Sequence, residues 1–242
     1  MYHTVWLFEI SVWTSYTMLD TCVTCGREFE NLGSHIWQTD CEYPDISDHK
    51  WDILTGLLMG DASLYRQAKT PYFQVRMINQ EFLNYLDGKF STLGRGVSLD
   101  RTAEETANMN KQSGFSPNTD KDNCSDLYLW RTMAHPEFNE FRDWYTNDGK
   151  VFLSDLDLAP TILKYWYISD GTLDTEYGNG ITIAVWNEKY RPMYLRSLFD
   201  DTPVAVQRID DRGGIHFSVE ESRKMLDWIG KPLPGFEYKW EL

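Results

Sequence analysis

Two sets of side chains in this 242-residue chain have the types and spacing to do chemistry. Near the N-terminus, Cys22, Cys25, His35 and Cys41 offer three thiolates and an imidazole. A Cys-x2-Cys pair with one histidine and one further cysteine suits a single tetrahedral Zn²⁺ in a structural site. Small knuckles of this kind often assist nucleic-acid binding. Gly26 and Gly33 let the chain turn tightly between the ligands. Reduced core cysteines or a Cys22–Cys25 disulfide are the alternatives. The isolated Cys124, in a polar stretch, argues against a secreted disulfide framework. The second set is Asp61 and Asp170, each closing an apolar run. Two carboxylates brought together repel each other and take up protons unless a cation intervenes. Hard oxygen ligands favour Mg²⁺.

The elements that carry the aspartates look like copies of one another. Leu54-Thr55-Gly56-Leu57-Leu58-Met59-Gly60-Asp61-Ala62 lies 109 residues before Leu163-Lys164-Tyr165-Trp166-Tyr167-Ile168-Ser169-Asp170-Gly171. At the same offset Leu64 meets Leu173, Tyr85-Leu86 meets Tyr194-Leu195, and Phe90 meets Phe199. One gapless offset over about 35 positions indicates duplication. Three blocks follow: an N-terminal segment over 1–46, a first copy over 47–150 and a second over 151–242. Each copy reads as an apolar helix ending at Asp, then strands, including Tyr72–Met77 and Gly180–Trp186. Helices follow around Glu81–Leu86 and Tyr190–Phe199, with later helices over Glu137–Tyr145 and Val219–Trp228. Pro160 suits a helix N-terminus, and the polar stretch Asp100–Asp126 reads as a long loop.

The two nine-residue runs resemble the signature of the LAGLIDADG homing endonucleases, in the single-chain, two-motif form. So do the approach from Trp144-Tyr145-Thr146-Asn147 through Leu156-Asp157-Leu158-Ala159-Pro160 and the closing Tyr238-Lys239-Trp240. The resemblance covers about residues 50–242; Ala62 stands where the motif usually ends in Gly, and both aspartates are intact. It implies an α+β fold: two pseudo-symmetric αββαββα repeats forming a saddle with antiparallel sheets, preceded by the small zinc-knuckle-like segment. It further implies site-specific cleavage of double-stranded DNA, one phosphodiester per strand, by a monomer. Mg²⁺ would be held by Asp61 and Asp170 at the ends of two packed helices, with Gly60 and Ser169 beside it.

Gly56 and Gly60 allow close approach on the first helix. The second has only Ser169 and Gly171 near its end, so looser or aromatic packing is expected there. By position, Gln74 resembles the family's water-orienting polar residue and His135 a basic residue beside the phosphate. A polar strand position and a helix-start residue are the respective alternatives. Ile183 matches Gln74 in the second copy, so the half-sites should differ. Arg66, Lys69, Arg76, Arg208 and Arg212 are the candidates for the DNA-reading strands, each with a solvated surface charge as its alternative.

Hydrophobic residues at 42% and aromatics at 15% describe a globular chain, and no apolar run is long enough to span a membrane. Val5–Met18 lacks a signal peptide's basic start and cleavage site and reads as a hairpin or an upstream extension, so a cytoplasmic location is expected. The host would be a prokaryotic or archaeal cell, or a virus of one. A net charge of −14 works against phosphate binding, which draws on Lys and Arg to release counterions. Acid excess spread along the whole chain suits a halophilic host, where salt screens self-repulsion. Three other functions compete: a maturase binding intron RNA, a catalytically silent DNA-binding regulator, and an acidic interaction protein with a zinc knuckle. Retention of both aspartates favours the nuclease, and no splicing flanks of an intein are evident.

Overall fold

The computed structural model describes residues 19–30, 32–114, 118–147, 149–174 and 180–242; the expectation for Val5–Met18 lies outside them. The chain divides after Glu42 into two compact units. In the first, strands β1 (Asp20–Thr21) and β2 (Glu28–Phe29) pair antiparallel and lead to helix α1 (Leu32–Gln38). Cys22, Leu32 and Ile36 are its buried apolar residues among those described.

The second unit, Tyr43–Leu242, holds both copies. The first runs α2 (Asp48–Met59), β3 (Ala62–Tyr65), β4 (Tyr72–Met77), α3 (Gln80–Lys89), β5 (Gly94–Arg101), α4 (Ala103–Ser113) and β6 (Leu127–Thr132). A 3-10 helix, Pro136–Trp144, closes it, and a hairpin of β7 (Tyr145–Thr146) and β8 (Gly149–Lys150) leads on. The second copy runs α5 (Pro160–Asp170), β9 (Gly171–Asp174), β10 (Gly180–Ala184), α6 (Pro192–Ser197), β11 (Arg208–Ile209), β12 (Gly214–His216) and α7 (Val219–Ile229). Each copy forms a four-stranded antiparallel sheet, in the orders β3-β4-β6-β5 and β9-β10-β12-β11. The matching orders give the αββαββα scheme twice, with α4 inserted between β5 and β6 of the first copy and a 3-10 helix in place of its last α-helix.

Period-two patterning fixes the faces of these sheets. On β4, Phe73, Val75 and Met77 are buried while Gln74 and Arg76 point the other way. On β10, Ile181 and Ile183 are buried and Thr182 is on the opposite face. Aromatic rings fill the interior in a relay of edge and tilted contacts: Trp144 to Phe152, Phe152 to Trp166, Trp166 to Phe199 and Phe199 to Phe217.

Two expectations need correction. The stretch read as a long loop contains the end of β5 and all of α4. Thr102 caps α4 and Glu105 returns the bond in a capping box, so local hydrogen bonding builds a helix whose only buried residue is Ala107. The helix expected at Glu137–Tyr145 is a 3-10 helix, entered through Pro136. Among the described residues no helix is long and apolar enough to cross a membrane.

Candidate active site and nucleic-acid interface

Helix α2 is polar at its start and buried from Ile53 to Met59 except at Thr55, and α5 is buried from Ile162 to Ile168 except at Lys164, as helix segments apolar on every side must be. They run parallel and in register. A Cβ on Gly56 would fall 2.3 Å from the Ile162 carbonyl oxygen and 2.9 Å from Tyr165 Cβ. One turn later, a Cβ on Gly60 would fall 2.2 Å from Ser169 Cβ and 3.5 Å from Asp170 Oδ2. The packing is therefore tight rather than loose, because two glycines on one helix suffice for both. Ser169 turns its hydroxyl back to the Tyr165 carbonyl, 3.1 Å away, and presents only Cβ to Gly60.

Both helices end at the same level, bringing Asp61 and Asp170 into one electrostatic neighbourhood. Asp61 is exposed and Asp170 half-buried. Loss of solvent raises the pKa of both, and the neighbouring Asp61 charge raises that of Asp170 further, to about 7. Lys150 and Lys239 act in the opposite direction on each. Burial lowers the pKa of Lys150, and that of Lys239 to about 8, against the pull of both carboxylates.

These lysines carried no role in the sequence reading, although Lys239 stood in a family-like tripeptide. Lys150 Nζ donates to the carbonyls of Gly60, at 2.5 Å, and Ala62, at 3.2 Å. Lys239 Nζ donates to those of Ile168, at 2.7 Å, and Gly171, at 2.6 Å. Each ammonium thus sits on the carbonyl-rich end of one motif helix, where the helix dipole favours positive charge.

Two clefts flank the helix pair. One is lined by Gly60, Lys150, Asp170, Trp186, Asn187 and Glu188; the other by Ser169, Lys239, Asp61, Met77, Ile78 and Asn79. Gly60 and Ser169, Asp61 and Asp170, and Met77-Ile78-Asn79 and Trp186-Asn187-Glu188 are all 109 residues apart. The clefts are therefore counterparts, each holding one aspartate and one lysine.

The other candidates are placed less uniformly. Gln74 lies on the outer sheet face, donates to Ser63 Oγ at 3.0 Å and sits opposite Arg131 in register. His135, expected beside a phosphate, is buried. Its Nε2 is 3.1 Å from the Pro44 carbonyl and its Nδ1 accepts from Glu137 N–H. Tyr43 and Phe138 pack against the ring, and burial lowers its pKa. It caps the 3-10 helix as a core residue and does not line either cleft.

Arg66 lies over the Tyr145 ring at 4.1 Å. Arg142 holds the loop that carries Arg66 and Lys69 by donating to the carbonyls of Arg66, Ala68 and Lys69. Arg76 pairs with Asp100 at 3.2 Å. Arg131, exposed beside Gln74, belongs to the same surface and was missed; its in-register position opposite Gln74 was not visible before strand pairing was known.

In the second sheet, Arg208 lies in register with His216. His216 Nε2 is 2.8 Å from Asp210 Oδ2 and its Nδ1 is 3.0 Å from Thr182 Oγ1. Hydrogen bonding to His216 holds the Asp210 pKa at about 2. Arg212 is exposed in the β11–β12 turn, where Asp210 accepts its backbone N–H.

In the N-terminal unit, ligand atoms of Cys22, Cys25, His35 and Cys41 all lie within 4.8 Å of one another. Cys25 Sγ is 3.4 Å from His35 Nε2, and the His35 ring stacks on Phe29 at 3.8 Å. Gly26 adopts φ +70°, the turn its lack of Cβ permits. Gly33 is a residue of α1 rather than a turn. Hydrogen bonding to Arg27 lowers the Cys25 thiol to about 6. The four cysteines are free, so no Cys22–Cys25 disulfide forms.

The model of a family described as the LAGLIDADG DNA endonuclease family matches residues 51–225. An uncharacterized protein of Methanocaldococcus jannaschii, MJ1098, is 26% identical over 153 residues, 60% of this chain and 52% of its own. The chain thus spans about half the length of the curated relative it matches. The homing endonuclease I-WcaI, solved bound to its DNA recognition sequence, has the same fold at a TM-score of 0.68. That likeness covers 86% of this chain and 91% of I-WcaI at 14% identity.

Proposed function

Since the chain belongs to the LAGLIDADG DNA endonuclease family, we propose that it cuts double-stranded DNA at a specific site, one phosphodiester per strand. The observation that carries this reading is the pair of counterpart clefts, each with one aspartate and one lysine at the meeting ends of α2 and α5. A single chain supplies both, so a monomer suffices.

The donor set fits a hard divalent cation. Burial, and then the neighbouring Asp61 charge, raise the Asp170 pKa to about 7, and a divalent charge would offset both. Asp61 and Asp170 would hold Mg²⁺, with the Gly60 and Ser169 backbones beside it; bound there, it would supply Lewis acidity and a more acidic attacking water. The protein's own groups do the rest. Lys150 and Lys239 place one positive charge in each cleft, where they offset the charge of a phosphate. Lys239, lowered to about 8, can hold or release a proton near neutral pH. Gln74, Ser63, Arg131 and Arg76 of the first sheet, Arg66 and Lys69 of the loop after β3, and Arg208 and Arg212 of the second sheet and its turn would run along the groove.

Cys22, Cys25, His35 and Cys41 would hold one Zn²⁺. The spacing of their ligand atoms fits a tetrahedral site with metal–sulfur bonds of about 2.3 Å.

The test is cleavage of DNA from the locus where the gene resides, and of a plasmid library carrying randomised inserts, with Mg²⁺. Linear products with defined ends support the reading. No cutting of either substrate by a folded, Mg²⁺-supplied protein overturns it.

A further inference from the structure

Glu188 is a fully buried carboxylate outside the aspartate pair, and it needs a reason to be there. Its Oε1 accepts the Phe152 N–H at 2.5 Å and its Oε2 accepts from Arg191 Nη1 at 2.9 Å. The same Arg191 nitrogen donates to the Phe152 carbonyl at 3.0 Å. Glu188 and Arg191 therefore grip both ends of one residue, two positions after Lys150. Tyr194 OH donates to the next carbonyl, that of Leu153. On the other side, Val151 N–H donates to Trp144 O at 2.7 Å.

The counterpart of Glu188, 109 residues earlier, is Asn79. Its Nδ2 donates to the Pro234 carbonyl at 3.4 Å, while its Oδ1 caps α3 by accepting from Phe82 N–H at 3.0 Å. Gly235 lies so close that a Cβ there would stand 2.3 Å from Asn79 Nδ2. Pro234-Gly235 opens the segment that ends in Lys239. The segment after each copy is thus held by the same sequence position of the other copy. The two grips differ in kind: a charge-assisted clamp through buried Glu188 on the Lys150 side, and on the Lys239 side one neutral amide bond to Pro234, beside the Tyr167 hydroxyl that donates to the Lys239 carbonyl at 2.7 Å.

We propose that Glu188, with Arg191, is a positioning residue that holds Lys150 in the Asp170 cleft, and that Asn79 does the same, more lightly, for Lys239 in the Asp61 cleft. Each half-site is then set by the opposite repeat, and each strand's cut has its own support. This rests on the nuclease reading above for its consequence in catalysis, while the clamp itself is a physical property measurable without DNA.

The test uses the full chain carrying Glu188→Gln, which keeps size and an acceptor but removes the charge facing Arg191. Tyr194→Phe is the milder second variant, and Asn79→Ala the opposite-side control. Hydrogen exchange should quicken at residues 149–153 in Glu188→Gln while residues 235–240 keep wild-type protection. The Lys150 amine should also acylate faster. On a duplex that the wild type cuts, with each strand labelled separately, Lys150→Met and Lys239→Met assign strands to clefts. Glu188→Gln should then slow the Lys150-assigned strand about tenfold or more, the scale expected for a small misplacement, and leave the other within about twofold. Nicked DNA should accumulate. Tyr194→Phe should bias the same strand less, and Asn79→Ala the opposite strand.

Equal slowing of both strands would overturn the proposal, as would unchanged exchange and acylation at Lys150. If the wild type cuts nothing, the nuclease reading fails, and exchange and acylation decide the clamp by themselves.

Discussion

Gly60 and Ser169 meet with no side chain between them: a Cβ on the glycine would stand 2.2 Å from the serine's Cβ. Their shared place in the duplicated sequence makes this the point where the two repeats meet, one residue before each aspartate. Gly60→Ala should destabilise the protein by about 1–3 kcal/mol, the usual cost of overpacking. Gly56→Ala faces the Ile162 backbone carbonyl, which cannot rotate away, and should cost at least as much. Urea unfolding of both variants checks this; wild-type midpoints would mean the helices are not in contact.

The raised Asp170 pKa has a signed consequence for stability. A carboxylate that keeps its proton to about pH 7 when folded favours the folded state fully below its unfolded pKa. That contribution is lost as pH rises from the unfolded value through about 7, so the metal-free protein should lose stability over that window. Mg²⁺ competes with the same proton, so it should raise the melting temperature more at about pH 8 than at about pH 6. Asp61→Asn removes the like charge and should move the Asp170 titration, followed by carboxyl NMR, to lower pH.

The carbonyl contacts of Lys239 give it a structural as well as an electrostatic part. Lys239→Met leaves the Ile168 and Gly171 carbonyls without their donor, which should cost about 1–3 kcal/mol in urea unfolding. It should also slow cutting of one strand by about 10²-fold or more, if the lysine handles a proton there. A strand-labelled assay separates this from general loss of fold, which would slow both strands alike.

Much of this arrangement was legible from the residues alone, for physical reasons. The offset linking Asp61 to Asp170 survives because helix packing and strand burial constrain the same positions in both copies. Strand β4, Tyr72–Met77, was readable because alternate burial leaves a period of two. Helix α4 was not, because it buries only Ala107 and shows no apolar stripe; its Thr102/Glu105 capping box was the overlooked signal. Lys150 and Lys239 escaped notice because a lone lysine reaching carbonyls about 70 to 90 residues away leaves no local pattern. The burial of His135 was not legible because its partner, the Pro44 carbonyl, comes from a distant segment.

The N-terminal unit should depend on metal. Purified protein should carry about one equivalent of Zn²⁺, and Cys41→Ser or a strong chelator should unfold that unit while the endonuclease-like unit keeps its melting transition. Less than about a tenth of an equivalent in freshly purified protein would remove the zinc assignment.

The acidic charge predicts how the protein meets DNA. With a net charge of −14, repulsion from phosphate is strongest in dilute buffer. Cleavage should therefore persist in about 1 M potassium chloride, where that repulsion is screened. Best activity in dilute buffer with inactivation in molar salt would contradict the link to a high-salt host.

Whether Asp61 and Asp170 form one Mg²⁺-dependent site is decided by comparing wild type with Asp170→Asn on the same cleaved duplex. The wild type should cut both strands in a Mg²⁺-dependent way, and the variant should lose cutting with its fold intact by circular dichroism. Undiminished cutting by Asp170→Asn would rule out a shared site at the two aspartates.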